Sequence, residues 1–229
     1  MTELLETIEL QTHETCEWSV IWMHGLGADG SDFVPVLPEL GLDSSISIRF
    51  VFPNAPSIPV TCNGGYVMPA WYDIISLDKN NREVDTAGIV QSREQIRILI
   101  DREKEMGIPS HRIFLAGFSQ GGAVAYTTGL THPEPLAGIM ALSTYLPVPQ
   151  LVAEEATEDN RQVPIFAAHG TEDDIVSIEL GRRATEFLTQ NGYTCQWQEY
   201  PMPHSICLEE IQDIGTWLNQ RIASHLPDR

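Results

Sequence analysis

The chain has 229 residues, 42% of them hydrophobic, and its 13 basic and 32 acidic residues give a formal net charge of −19. This hydrophobic fraction can bury a full core, so the composition excludes an intrinsically disordered protein. The length is ordinary for an α/β protein, and we expect residues 1–229 to form a single domain. The negative charge repels polyanions, so we expect no nucleic-acid partner.

Targeting segments and cysteines narrow the class of protein further. Acidic residues stand near the N-terminus where a signal peptide would carry basic ones, and no apolar run approaches the roughly 18 residues that a membrane span needs. We therefore expect a cytoplasmic protein without integral membrane association. The four cysteines form no C-x-x-C pair, which argues against a disulfide framework and a thiolate zinc site. The sequence leaves the oligomeric state open, a homodimer included.

Short apolar runs alternate along the chain with longer segments of helical period. This pattern is typical of a mostly parallel sheet with helices on both faces. The predicted strands are residues 18–23, 46–52, 112–116, 136–142, 163–168 and 194–200, and the predicted helices are residues 86–106, 120–132, 178–190 and 208–225. Gly107 is the predicted end of the first helix. Residues 54–85 fit neither period, and because so long an irregular stretch is usually functional, we expect it to form a rim over a site.

The most informative motif is Gly117-Phe-Ser-Gln-Gly121, which has the form G-x-S-x-G and lies between a predicted strand and a predicted helix. In that position a serine occupies a tight turn that lifts its hydroxyl away from the sheet, and the flanking glycines leave room for the turn. The start of the helix supplies unpaired N–H groups and a partial positive charge where an oxyanion would form. The motif predicts that Ser119 is a nucleophile rather than an idle serine in a glycine-rich turn.

A serine nucleophile needs a base that accepts its proton, and the base needs a third group that orients it. In this architecture the order along the chain is serine, acid, histidine, each after a later strand. His132 ends a predicted helix, His225 lies in the C-terminal tail, and His169 is too close in sequence to the candidate acids. His204 follows the last predicted strand and precedes the closing helix, so it is the predicted base.

The loop after the predicted strand 163–168 offers three candidate acids, Glu172, Asp173 and Asp174. The residues alone leave the choice among them open. Acidic residues in such a loop are also typical of a solvated turn or a helix N-cap. A metal site is a further alternative, but it needs convergent ligands that the sequence does not show, so we expect no metal.

Two backbone N–H groups are expected to form an oxyanion hole. One belongs to Gln120, directly after the nucleophile, and the other to Leu26, in the glycine-rich turn after the first predicted strand. His24 opens that turn, and we interpret it as a structural histidine that bonds to backbone groups.

From about residue 20 to residue 217 the chain resembles the bacterial carboxylesterase and acyl-protein thioesterase family, formerly grouped as phospholipase/carboxylesterase. The motifs that carry the resemblance are His24-Gly-Leu-Gly-Ala-Asp-Gly30, Phe52-Pro-Asn-Ala-Pro56, Gly64-Gly-Tyr-Val-Met-Pro-Ala-Trp-Tyr-Asp73, Ala116-Gly-Phe-Ser-Gln-Gly-Gly122 and His169-Gly-Thr-Glu-Asp173. In that family the acid is the fifth residue of an H-G-x-x-D pattern, so the resemblance implies the triad Ser119, Asp173 and His204. Two departures are Asp174, where the family often has proline, and Pro203, where it commonly has glycine before the histidine.

The resemblance also implies an α/β-hydrolase fold, with a mostly parallel sheet of about seven strands, helices on both faces and no large lid domain. It implies hydrolysis of carboxylic esters, and of acyl thioesters, through an acyl-enzyme on Ser119 and without a cofactor. Small soluble esters, protein S-acyl groups and lysophospholipids remain alternative substrates, and a hydrolase-fold protein used only for binding is the alternative from another class. The predicted acyl pocket consists of side chains from the irregular segment, namely Val60, Tyr66, Met68, Trp71 and Tyr72.

Overall fold

A computed structural model describes residues 4–77 and 82–224. The strands are β1 (Thr7–Gln11), β2 (Trp18–Met23), β3 (Ile48–Pro53), β4 (Ser57–Val60), β5 (Tyr66–Pro69), β6 (Ile74–Ser76), β7 (Glu83–Val84), β8 (Ile113–Phe118), β9 (Gly138–Leu142), β10 (Ile165–Gly170) and β11 (Cys195–Tyr200). The α-helices are α1 (Thr86–Glu105), α2 (Gln120–Leu130), α3 (Pro149–Glu155), α4 (Ile178–Gln190) and α5 (Leu208–Ser224). Four 3₁₀ segments within the described ranges are Gly30–Leu40, Thr61–Asn63, Ser110–Arg112 and Glu158–Asn160.

Within the described residues, seven strands form one sheet in the order β1-β3-β2-β8-β9-β10-β11. Strand β1 pairs antiparallel with β3, and every other pair of neighbours in this sheet is parallel. The prediction of a mostly parallel sheet of about seven strands is therefore confirmed. The described residues contain no large lid domain over the sheet.

The two faces of the sheet carry separate apolar cores, because alternate residues of each strand point to opposite sides. In β2, Val20 and Trp22 pack toward the 3₁₀ segment Gly30–Leu40 and α5, whereas Ile21 and Met23 pack toward α1, α2 and α4. All six residues of β2 are buried, as expected for a parallel strand that is covered on both faces. The prediction of helices on both faces is confirmed.

Helix α1 shows how local sequence sets an element boundary. The Asp85 side chain accepts a hydrogen bond from the Ala87 N–H and caps the first turn. At the other end Gly107 adopts a φ of 97°, and its N–H donates to the Lys104 carbonyl. The left-handed conformation is favourable for glycine, which explains why the helix ends here as predicted.

The structure differs from the sequence prediction in four places. Strand β1 was not predicted, because it is a short, half-exposed edge strand in which only Ile8 and Leu10 alternate with polar residues. The described part of residues 54–85 is not irregular throughout, since β4 pairs antiparallel with β5 and β6 pairs antiparallel with β7. Residues 78–81 of that predicted stretch lie outside the described residues. Helix α3 and the 3₁₀ segment Gly30–Leu40 were also missed, and the latter contains Pro35 and Pro38, which interrupt a helical pattern.

The parallel sheet places four loops at the same edge, because parallel strands end on the same side. These loops follow β2, β8, β10 and β11, and they carry Leu26, Ser119, Asp173 and His204, respectively. Residues far apart in sequence are therefore brought to one edge of the sheet. None of the helices in the described part of the chain is long and apolar enough to cross a membrane.

Candidate active site

Ser119 stands at the sharp turn between β8 and α2. Its φ of 54° and ψ of −120° are strained for a residue with a side chain, and such strain is typical of functional positions. The turn is possible because Gly117 and Gly121 pack against backbone: a Cβ on Gly117 would lie 2.2 Å from the Gly121 carbonyl carbon. The same holds for Gly121, whose Cβ would lie 2.4 Å from the Met23 carbonyl oxygen. The predicted role of the flanking glycines is thus confirmed.

His204 connects Ser119 with Asp173 in a chain of hydrogen bonds. Its Nε2 lies 3.0 Å from the Ser119 Oγ, and its Nδ1 lies 2.6 Å from the Asp173 Oδ2. An ionised carboxylate only accepts, so Nδ1 carries the hydrogen and Nε2 presents its lone pair to the serine hydroxyl. The structure brings the three predicted residues together, in the geometry that a general base and its orienting acid require.

Asp173 is the acid that contacts His204, whereas Glu172 and Asp174 are exposed. The Asp173 side chain is fully buried, and its Oδ1 accepts hydrogen bonds from the backbone N–H groups of Ile175 and Val176 at 3.0 and 2.8 Å. Burial by itself would raise the pKa of Asp173, but hydrogen bonds from histidine and backbone donors outweigh it and hold this pKa well below its usual value. The acid is therefore ionised over the whole neutral range.

His169, which opens the H-G-x-x-D pattern, is fully buried behind the acid. Its Nε2 lies 2.8 Å from the Val176 carbonyl oxygen and 3.4 Å from the Asp173 Oδ2. Both partners accept, so Nε2 carries the hydrogen and braces the turn that holds Asp173. Sequence reasoning considered His169 only as a rejected base and missed this contact.

Phe118 is a second neighbour that sequence reasoning missed. Its ring lies 4.7 Å from the His204 ring, measured between centroids, and limits the rotation of the imidazole. It occupies the variable position before the serine of G-x-S-x-G, so the motif itself carried no signal for it.

The two residues predicted to form the oxyanion hole both line the cavity that contains Ser119. Gln120 is the first residue of α2, where backbone N–H groups have no partner within the helix. Its side chain has a separate role: Oε1 accepts from the Trp71 N–H at 2.8 Å and Nε2 donates to the Tyr72 carbonyl at 2.7 Å. This amide ties the segment around Trp71 to the start of α2.

His24 is a structural histidine, as predicted. Its Nδ1 lies 2.7 Å from the Gly25 carbonyl oxygen, and the Ala55 N–H donates to its Nε2 at 3.0 Å. These bonds require the neutral tautomer with hydrogen on Nδ1, and burial lowers the pKa of His24, which favours the neutral form. The Trp71 indole N–H also donates to the His24 carbonyl at 2.9 Å, so the turn that carries Leu26 is held from both sides.

The cavity beside Ser119 has a volume of about 410 Å³ and is mostly apolar. Its lining comes from six parts of the chain: Gly25, Leu26, Ala28, Asp32, Cys62, Asn63, Ile74, Leu77, Arg82, Phe118, Ser119, Gln120, Tyr145, Ile175 and His204. A concave, largely apolar site with a few polar groups fits a small organic ligand that carries an acyl chain.

None of the five side chains predicted to form the acyl pocket lines this cavity. Val60, Trp71 and Tyr72 are buried in the protein interior, where the Trp71 and Tyr72 polar atoms bond to His24 and Tyr145. Tyr66 is 70% exposed on the β4–β5 hairpin, and Met68 accepts a hydrogen bond from the Asn63 side chain beside the cavity. The prediction is corrected here because the hairpin and the backbone bonds of residues 69–73 direct these side chains elsewhere.

In residues 4–77 and 82–224, no three His, Cys, Asp or Glu side chains cluster in a way that would hold a metal ion.

A family model described as phospholipase/carboxylesterase matches residues 8–222. The chain belongs to this family. Acyl-protein thioesterase 1 of Cryptococcus neoformans is 36% identical over 97% of this chain and 100% of that protein. A probable carboxylesterase of Oryza sativa is 35% identical over 89% of this chain and 77% of that protein. The crystal structure of Arabidopsis thaliana SOBER1 matches with a TM-score of 0.85 and 32% identity, over 90% of this chain and 99% of that chain.

Membership of the phospholipase/carboxylesterase family establishes the class of enzyme. The fold is the α/β-hydrolase fold, and the chain is a hydrolase that uses a serine to cleave carboxylic esters or acyl thioesters. The motifs on which the resemblance was based lie inside the matched range.

Proposed function

We propose that Ser119, His204 and Asp173 form the catalytic triad of this hydrolase. The observation that carries the proposal is the unbroken chain of hydrogen bonds from the Ser119 Oγ through the His204 ring to the buried Asp173 carboxylate, at 3.0 and 2.6 Å. The Ser119 end of this chain of hydrogen bonds faces a mostly apolar cavity. A substrate carbonyl can therefore reach the serine while the apolar part of the substrate is removed from water.

The proposed reaction proceeds in two acyl transfers. As the Ser119 Oγ attacks the acyl carbonyl carbon, its proton moves to the His204 Nε2, and the carbonyl oxygen becomes an oxyanion. The backbone N–H groups of Gln120 and Leu26 stabilise that oxyanion. The imidazolium then protonates the leaving alcohol or thiol, and an acyl-enzyme remains on Ser119. A water molecule then attacks the acyl carbonyl carbon as it gives a proton to His204. The bond to the Ser119 Oγ breaks, His204 returns the proton to that oxygen, and the carboxylic acid leaves.

A fluorophosphonate probe tests the proposed nucleophile. Such a probe phosphonylates an activated serine and leaves an idle one unmodified. We expect stoichiometric labelling of the wild-type chain at Ser119, no labelling of Ser119→Ala, and loss of ester hydrolysis in the same variant. Labelling at another residue would assign the nucleophile elsewhere. A folded wild-type chain without labelling or turnover would support the alternative of a protein used only for binding.

A protein S-acyl thioesterase is the second candidate, and the names of the relatives favour it. Acyl-protein thioesterase 1 of C. neoformans matches nearly the whole chain, so a thioester-linked acyl group is a proposed substrate beside small oxygen esters. A lysophospholipase remains a further alternative on the same scaffold. A matched pair of an oxygen ester and a thioester with the same acyl group separates the first two, and a lysophospholipid with that acyl group tests the third.

Three predictions from the sequence stay predictions. The first is a single domain over residues 1–229, and the second is a cytoplasmic location. The third concerns the oligomeric state, for which a homodimer is a possibility to be tested. Light scattering measures the mass against 25.5 kDa for one chain. Limited proteolysis followed by mass spectrometry detects a boundary between domains if one exists.

A further inference from the structure

Two cavities meet at the same pair of side chains. The cavity beside Ser119 and a second cavity of about 380 Å³ are both lined by Arg82 and Tyr145. The second cavity lies between the loop after β9 and helix α4, and its apolar lining is Leu146, Pro147, Pro149, Leu180, Ala184 and Phe187. The lining also includes Gln150 and Arg183, so the second cavity is of mixed polarity. Arg82 and Tyr145 therefore lie between the reactive centre and a second cavity that offers apolar side chains on part of its wall.

Tyr145 is held in this separating position from two sides. It is 5% exposed, and its hydroxyl lies 2.9 Å from the hydroxyl of the fully buried Tyr72. The Arg82 guanidinium stands 5.3 Å from the centre of the Tyr145 ring, and it donates a hydrogen bond to the Ile175 carbonyl. Moving the Tyr145 ring aside would break its hydrogen bond to Tyr72 and its cation–π contact with Arg82. These two contacts therefore hold Tyr145 as a partition between the two cavities.

The acyl chain of a substrate is expected to point toward this partition. Ile74 and Ile175 lie at that end of the cavity, because Ile74 pairs with Val84 close to Arg82 and the Ile175 carbonyl binds the Arg82 side chain. Apolar walls attract the alkyl part of the substrate, so the chain extends from Ser119 toward Tyr145.

We propose that Tyr145, backed by Arg82, closes the acyl end of the active site and makes the enzyme selective for short acyl chains. The inference rests on the proposed function, since it assumes that the acyl group is attached at Ser119. A cavity of about 410 Å³ is at the small end of the usual range of ligand pockets, and part of it must also hold the leaving group. A long alkyl chain needs the second cavity, from which the Tyr145 ring excludes it.

The experiment compares kcat/KM for p-nitrophenyl butanoate and p-nitrophenyl dodecanoate, the latter below its critical micelle concentration. We expect the wild-type enzyme to prefer the butanoate. In Tyr145→Ala the two cavities join, and the dodecanoate-to-butanoate ratio should rise by about 10-fold or more, since several methylenes become buried. Tyr145→Phe keeps the ring and loses only the bond to Tyr72, so its ratio should stay within about twofold of wild type.

Tyr193→Ala is the matched control, because Tyr193 is also buried under an arginine. The Arg161 guanidinium lies 5.4 Å from its ring centre, but Tyr193 lines neither cavity. We expect Tyr193→Ala to lower the melting temperature without changing the ester ratio. If Tyr145→Ala does not fold, Tyr145→Leu, which still shortens the side chain, takes its place.

The outcomes separate this inference from the proposed function. A folded Tyr145→Ala with an unchanged ratio, or a wild-type enzyme that prefers the dodecanoate, would overturn the role of Tyr145 while Ser119 labelling stays intact. An enzyme that hydrolyses neither ester and takes no fluorophosphonate would instead refute the assignment of Ser119.

Discussion

At the scale of single residues, Ser119 and His204 act on one proton in the proposed mechanism, so their contributions should not add. We expect Ser119→Ala and His204→Ala each to abolish most of the turnover, and the double variant to be no worse than either single variant. A residual rate of about 10³–10⁴ over water should persist from the oxyanion hole and binding. Steady-state kinetics on all three variants measure this. A double variant with the summed losses would show that the two residues do not share one step.

The three acids of the loop after β10 offer a matched set of variants. Asp173→Asn should lower kcat by about 10⁴, because the neutral amide no longer selects the His204 tautomer with hydrogen on Nδ1. Glu172→Gln and Asp174→Asn remove exposed charges and should change kcat by less than about tenfold. Circular dichroism confirms that each variant is folded. If Asp174→Asn abolished turnover instead, the catalytic acid would have to be reassigned from Asp173 to Asp174.

At the scale of elements, the close approach of α2 to the end of β2 joins the turn at Ser119 to the turn that carries Leu26, the proposed oxyanion loop. A Cβ on Gly121 would lie 2.4 Å from the Met23 carbonyl oxygen and 2.5 Å from that of His24, and backbone cannot rotate away. Gly121→Ala must therefore move the start of α2 relative to the turn that carries Leu26. We expect kcat to fall by about 100-fold, the effect of a displacement on the order of 1 Å.

Gly129→Ala is the control for that variant, since it lies in the same helix. Its Cβ would meet the Ile139 side chain at 2.5 Å, far from Ser119, and a side chain can adjust. We expect a loss of stability of about 1–3 kcal/mol from overpacking, with kcat retained. Equal losses of kcat in both variants would indicate general disruption of α2 rather than a displaced oxyanion loop.

At the scale of the whole molecule, Glu210 links the stability of the fold to pH. Its side chain is fully buried in α5, and burial raises the pKa of Glu210 from 4.5 to about 8. Between these values the folded protein binds a proton that the unfolded chain does not, so the free energy of unfolding falls as pH rises from 4.5 to 8. Burial lowers the pKa of His132 from 6.5 to about 4. Between pH 4 and 6.5 this histidine has the opposite effect, and it makes the free energy of unfolding rise with pH.

Glu210→Gln isolates the contribution of Glu210, because the amide has nearly the same shape and does not ionise. The difference in unfolding free energy between variant and wild type should grow with pH, and reach about 1–3 kcal/mol in favour of the variant at pH 8.5. Urea unfolding at pH 5, 6.5 and 8.5 measures it, and the His132 term cancels in the difference. A difference that is constant with pH would show that Glu210 does not titrate in the folded protein.

Sequence alone determined most of the strand and helix framework, and it predicts the nucleophile and the base. These depend on local patterns: the apolar runs of β2, β8 and β10, the turn around Ser119, and the position of His204 just after the last strand. The edge strand β1 and the paired strands β4–β5 and β6–β7 were not predicted from the sequence. Short half-exposed strands gain their stability from a partner strand rather than from their own hydrophobic pattern.

Only the tertiary structure decided which side chains line the cavity beside Ser119. Trp71 and Tyr72 bond through their polar atoms to His24 and Tyr145 in the protein interior. Ile74 and Leu77, only a few residues further along the chain, line the cavity instead. In a segment of mixed hairpins and turns, side-chain direction depends on what packs against each residue. Tyr145, Arg82 and Ser119 come from three separate segments, and their meeting is a property of the sheet order and not of any one stretch of chain.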